Sequence, residues 1–218
     1  MVNYEEAFKR PFSDFKKLGL SILLNIIPIV NFIVYGYFLE VAKSSGSKKT
    51  SNVLPEWKNY GNLFINGLFA FVIGLFYLLP LFMVMAIAFA TAKISMFAFM
   101  AGGSSMQGMI PAMATLGLWA LLILVLLLAT TYFLPSAIMS YAVSGEISSA
   151  FEFGNVVKRA MTSEYFVVWL VSIVYTAILS GLLGLIPYVG RAAAGAITGI
   201  TMFTLLGEVY PNLRSKRK

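Results

Sequence analysis

Residues 18–42 read LGLSILLNIIPIVNFIVYGYFLEVA, an apolar run in which Pro28 stands between Asn25 and Asn31. Proline removes a backbone donor and clashes with the preceding helical turn, so a helix entering this run must break there. Basic residues flank it on both sides, Lys16 and Lys17 before it and Lys43, Lys48 and Lys49 after it. A single crossing would set positive charge on both faces of a membrane, against the tendency of Lys and Arg to gather on the cytoplasmic side. Proline and charge together predict a helical hairpin, short or re-entrant, that leaves and rejoins the cytoplasmic face with Pro28 at its tip. The IP-x-V pattern returns in GLIPYVG (184–190).

Composition places the rest of the chain in a membrane too. Hydrophobic residues make up 59% of the 218 and charged residues 11%, against roughly 45–50% and 25% in soluble domains, and the mean hydropathy is +0.84. Four long apolar stretches (18–42, 61–101, 109–143 and 165–209) leave too few polar residues to cover a soluble globule. The absence of cysteine and histidine excludes disulfides, thiol catalysis and histidine-based metal sites or proton shuttles. The opening MVNYEEAFKRPFSDFKK mixes acid with base and precedes no small-residue cleavage site, so no removable signal peptide is expected.

All but Lys93 and Arg191 of the 16 lysines and arginines fall in four segments, around 9–17, 43–58, 158–159 and 214–218. Placing those segments in the cytoplasm yields an all-α polytopic bundle with both termini inside and about four full spans, each long enough for the roughly 20 residues a crossing needs. Its parts are a cytoplasmic interfacial segment (1–17), the proline-broken hairpin (18–42), a cytoplasmic loop (43–60), two membrane helices (61–101 and 109–143), a cytoplasmic interfacial helix (144–164), a second hairpin (165–209) and a basic tail (210–218). The connectors 100–108 and 186–191 then face out. Residues 91–108 either lie along the outer interface, with Lys93 reaching the headgroups, or extend the preceding helix.

Two internal echoes stand out. EAFKRPF (6–12) precedes the first IP-x-V and SAFEFGNVVKR (149–159) the second, although Ala7 and Pro28 are closer in sequence than Ala150 and Pro187. That spacing predicts a first hairpin shorter by about one span's worth of chain. YLLP (77–80) also echoes YFLP (132–135), as opposed transporter repeats do. Taken in order, EAFKRPF, IIPIVNFIVYGYFLEVAK, LPEWKNYGNLFINGL, YLLP, AFEFGNVV and IPYVG…LLGEVY resemble the prokaryotic, mainly archaeal membrane proteins grouped as domain of unknown function 4013. Leu54-Pro55-Glu56-Trp57 followed by Gly67 is the most specific element. The resemblance implies a multi-helix membrane fold and an archaeal membrane location, and carries no catalytic residues.

Few residues offer chemistry. Glu40 and Glu208 each follow an IP-x-V turn and are read either as carboxylates at a cavity mouth or as partners of basic residues at helix ends. Arg191 opens the last helix, where a cation opposes the positive end of the dipole, which points to an anionic partner such as a lipid headgroup or to a plain interfacial anchor. Asn25 and Asn31 flank the Pro28 tip and either supply hydrogen bonds to the broken backbone or present amides to a solute; Pro28 and Pro187 are the candidate hinges. Ala192, Gly195 and Gly199 form a small-residue stripe suited to close helix packing. LPEWKNYGNLF (54–64) reads as an interfacial anchor with Trp57 and Tyr60 at headgroup level. Seven of the 11 methionines lie in 83–113, where adaptable packing explains them better than copper. No catalytic residue, cofactor or metal is called for. The expected partners are membrane lipids, with anionic headgroups at the basic segments, and no nucleic acid; a homo-oligomer stays open. The reading is a non-enzymatic multi-pass protein of the cell membrane, first a small permeation or transport module, with a non-transporting scaffold or lipid-organising protein as the alternative.

Overall fold

A computed structural model describes residues 2–45, 53–101 and 106–215, with side chains apart from 95, 98, 99, 101, 106–112 and 211–215. The expected loop 43–60, connector 100–108 and basic tail 210–218 therefore lie partly outside the described residues. The helices are α1 (Tyr4–Lys9), α2 (Phe15–Ile26), α3 (Asn31–Ser45), α4 (Tyr60–Ala101), α5 (Met106–Ser144), α6 (Phe153–Ala160), α7 (Ser163–Leu183) and α8 (Val189–Ser215), with 3-10 turns at Arg10–Ser13 and Ile147–Phe151. Among the described residues there is no strand. Short polar side chains start several helices by accepting otherwise orphaned amides. Asn3 takes the Glu6 amide, Asp14 those of Lys16 and Lys17, and Thr162 that of Tyr165.

Among the described residues, four helices are long and apolar enough to cross a membrane: Tyr60–Ile94, Met113–Ser144, Ser163–Leu183 and Val189–Tyr210. They mark a multi-pass membrane protein. The chain divides into two compact units, Gly74–Leu134 and the remainder. In the first, Pro80 is held inside continuous α4, and its Leu, Phe and Met side chains are mostly exposed. Thr130 Oγ1 donates to the Tyr77 carbonyl at 3.4 Å. Of the two readings of 91–108, the structure takes the helix extension up to Ala101.

The other unit is built around α8. Its candidate span is 67% buried, against 17%, 6% and 11% for the other three, because α7, α3, α2 and α1 all pack on it. Small residues permit that wrapping: a Cβ at Gly199 would strike the Phe38 ring, and one at Gly207 the Ala42 carbonyl. α3 approaches α4 as closely, since a Cβ at Gly36 would meet the Leu63 carbonyl and one at Gly67 that of Phe32. Leu18, Val34, Tyr37, Phe38, Val41, Leu54, Ala196, Ile197 and Ile200 fill the space between. The contacts Phe38 to Gly199 and Ala42 to Gly207 ascend together, so α3 and α8 run parallel and both proline turns lie at one end of this unit.

Candidate functional site

The two IP-x-V segments adopt the same turn. Each places the residue after the proline in the left-handed region, Ile29 at φ 71° and Tyr188 at φ 57°, a conformation that disfavours residues carrying a Cβ. In each, the amide three residues beyond the proline closes onto the residue before it: Asn31 N–H to Ile27 O and Gly190 N–H to Ile186 O, both 3.1 Å. Glycine stands eight places after each proline, as Gly36 and Gly195, and both are sites of close approach. The broken carbonyls are thus partly satisfied by the turn itself. Near the Pro28 tip, Asn25 Nδ2 donates to the Ala192 carbonyl at 3.1 Å and lies 3.0 Å from where a Gly195 Cβ would stand.

With Asn25 against Ala192, the Pro28 tip comes within about two helical turns of Pro187. The first hairpin is the shorter in chain, with 12 and 15 residues in α2 and α3 against 21 and 27 in α7 and α8, and the 3-10 turn and α6 take up further sequence before the second hairpin begins.

At the opposite end of α3, Arg10 is 1% exposed. Its Nη1 donates to Val41 O (3.3 Å), Thr204 Oγ1 (3.2 Å) and Ser45 Oγ, and its Nη2 to Ser44 Oγ (2.6 Å) and Val53 O (3.2 Å). All five are neutral acceptors, and burial pushes the guanidinium below its ordinary pKa. The C-terminal turn of α3 supplies several of them, where the helix dipole favours a cation. A groove of about 630 Å³ runs beside this segment, lined by Glu6, Phe8, Lys9, Arg10, Phe12 and Ser13. The arm is also held by Phe8, edge-on to Tyr175 at 4.7 Å.

Arg159 plays the corresponding part in the second arm. Its Nη1 donates to Ser140 Oγ (3.0 Å) and Tyr210 OH (2.7 Å), and the guanidinium lies 4.8 Å over the Tyr210 ring. Tyr210 OH passes a bond to Ser136 O at 2.9 Å. The end of α5, α6 and the end of α8 are thereby joined through one tyrosine. Ala7 and Ala150, which open the echoed segments, are both fully buried.

The family model described as "Protein of unknown function (DUF4013)" matches residues 19–188. The chain belongs to this family. No curated protein and no solved structure matches. The DUF4013 segment takes in most of α2, then α3 to α7 and both turn prolines, whereas Arg10 precedes it and Ala192, Gly195 and Gly199 follow it.

Within this DUF4013 chain the sequence-derived candidates separate. Glu40 accepts from Lys43 Nζ at 2.9 Å, while Glu208 accepts the Asn3 amide at 2.7 Å. Arg191, Pro28 and Pro187 are exposed, Asn31 half-buried. Ala192 and the Gly195–Gly199 stripe face α2 and α3 of the same chain. LPEW is more than a surface anchor. Leu54 is 1% exposed, Trp57 stacks on Tyr37 at 3.9 Å, Tyr37 OH donates to Pro55 O at 3.0 Å, and Lys17 Nζ reaches Leu54 O (2.8 Å) and Glu56 Oε1 (2.7 Å). Among the described residues, no three acids cluster in a way that would hold a metal ion.

Proposed function

We propose that this protein is a non-catalytic, multi-pass protein of the cell membrane that organises lipid and helices around a rigid core, with its termini and basic segments on the cytoplasmic side. The observation that carries this reading is the filled interface between the two proline-turned hairpins. Transporters built from repeats hold solute at such an interface; here the Asn25 amide bonds Ala192 O, and Phe38 and Ala42 occupy the approaches to Gly199 and Gly207. Basic residues gathered on one face favour anionic lipid, at about 1 kcal/mol per Lys or Arg near the surface. Mass spectrometry of lipid retained through purification tests the proposal. Enrichment of anionic species over the bulk extract is expected, and its absence would remove the main support.

A permeation module is the second reading, supported by the matched geometry of the two turns, the kind of likeness that repeat-built transporters carry. Flux measured over a broad solute panel in liposomes decides between the two. Saturable or selective flux through the purified protein would overturn the scaffold proposal.

A further inference from the structure

The two sides of α6 differ in burial. Val156 and Ala160 are buried, Ser136 Oγ donates to the Val156 carbonyl at 3.2 Å, and Arg159 is drawn in toward Tyr210. On the other side Phe153, Val157 and Met161, spaced by four residues, are 62%, 38% and 68% exposed, with exposed Lys158 beside them. Apolar residues at this spacing share one helical face.

We infer that this stripe is a membrane-surface anchor: it lies at the headgroup–acyl boundary of the bilayer that α7 and α8 cross, with Lys158 at the level of anionic phosphates. Depth is the first argument. Arg159 ties α6 to Tyr210, after which the sequence turns polar as PNLRSKRK (211–218). From Val189, where α8 begins, to Tyr210 is about 33 Å of helix, against a hydrocarbon core of about 30 Å, which sets α6 near the edge of the hydrocarbon. Continuity is the second. Met161 leads through the Thr162 cap into α7, whose exposed Val167, Leu170, Val174 and Ile178 carry the same kind of stripe along the span. Charge is the third: an apolar stripe bordered by lysine is the pattern of helices lying in an anionic interface. The inference rests on the membrane-spanning reading and assigns to the proposed lipid contact a definite element.

Because the chain contains no cysteine, single cysteines at Phe153, Gly154, Val157, Lys158 and Met161 can each carry a nitroxide in the full-length protein. The variants are reconstituted into vesicles of mixed phosphatidylcholine and phosphatidylglycerol, and collisions with oxygen and with an aqueous nickel chelate are measured. Positions 153, 157 and 161 should favour oxygen, and 154 and 158 should favour nickel, so the ratio inverts with the helical period. Uniform nickel access at all five would overturn the anchor and leave a solvated helix. Shielding of 153, 157 and 161 from both probes would overturn it in favour of a protein partner, such as a second copy. Lipid retention and flux are read on the unmodified protein, so failure of the anchor is distinguishable from failure of the proposed function.

Discussion

Replacing Arg10 with methionine removes a buried cation of similar length together with every bond it donates. The consequences differ among its five acceptors. Ser44 and Ser45 Oγ already donate to Val41 O at 2.8 and 2.7 Å, and Thr204 Oγ1 to Ile200 O at 2.7 Å, so these hydroxyls and the Val41 carbonyl keep partners. Val53 O loses the donor that Arg10 supplies at 3.2 Å. Val53 is itself 61% exposed, so water can take over at that carbonyl, and the loss comes mainly from the bonds of the charged donor, about 1.5–3 kcal/mol each. Relief of the desolvation penalty on the guanidinium offsets part of this. The net expectation is a loss of about 2–4 kcal/mol, or a melting temperature lower by roughly 5–12 °C for a chain of this size. Arg10→Lys should do at least as much harm, since an ammonium brings the same charge into the site but cannot span acceptors on three segments. Thermal unfolding in one detergent, followed by size-exclusion recovery after heating, measures both. If Arg10→Lys melts like the parent, or Arg10→Met falls within about 0.5 kcal/mol of it, the guanidinium does not hold the arm and the reasoning fails.

Gly199→Leu drives a side chain into the Phe38 ring and should abolish the monodisperse species, whereas Gly181→Leu on α7, where a Cβ meets nothing within 4 Å, should elute like the parent; equal behaviour of the two would refute the close packing of α8. In a labelling experiment with aqueous maleimide, a cysteine at Val189, which is 54% exposed, should react from the outer side of intact vesicles, while one at position 25 should react only after unfolding. Rapid labelling at position 25 or 31 in the folded protein would mean a wet tip and strengthen the permeation reading. The Lys17 amide, then the Lys16 amide and the Lys17 charge, hold the Asp14 carboxyl below its usual range. Its stabilising contribution is therefore present above the unfolded value of about 3.9 and lost as pH falls through the lower folded value. Asp14→Asn should flatten the acid limb of a stability profile, and an unchanged limb would count against the cap.

Features governed by local chemistry were legible in the sequence in part. Proline removes a helical donor, and breaks occur at Pro28 and Pro187, where a residue in the left-handed region follows, whereas Pro80 and Pro135 stand inside continuous α4 and α5. Small residues at positions 192, 195 and 199 permit close packing, and that stripe is where α2 and α3 meet α8. Arg10 was not legible as a buried group. In sequence it is one cation of a polar arm, and its acceptors lie between 31 and 194 positions away, so nothing local signals burial. Arg159 was hidden in the same way, since Tyr210 lies 51 positions further on. LPEW was recognised as distinctive but read through the usual preference of tryptophan for the interface. Stacking on Tyr37 depends on how the chain returns after α3, which a linear reading does not contain.

The central position of α8 also sets an order of events during synthesis. The helix against which α2, α3 and α7 all pack is made last. Arg10 must wait for Thr204, 194 residues later, which at bacterial and eukaryotic translation rates of about 5–20 residues per second is a delay of roughly 10–40 s. Through that interval the face of α3 that Phe38 and Ala42 present to Gly199 and Gly207 stays open, and Arg10 lacks one of its acceptors. The first hairpin therefore completes its packing only once α8 has been made.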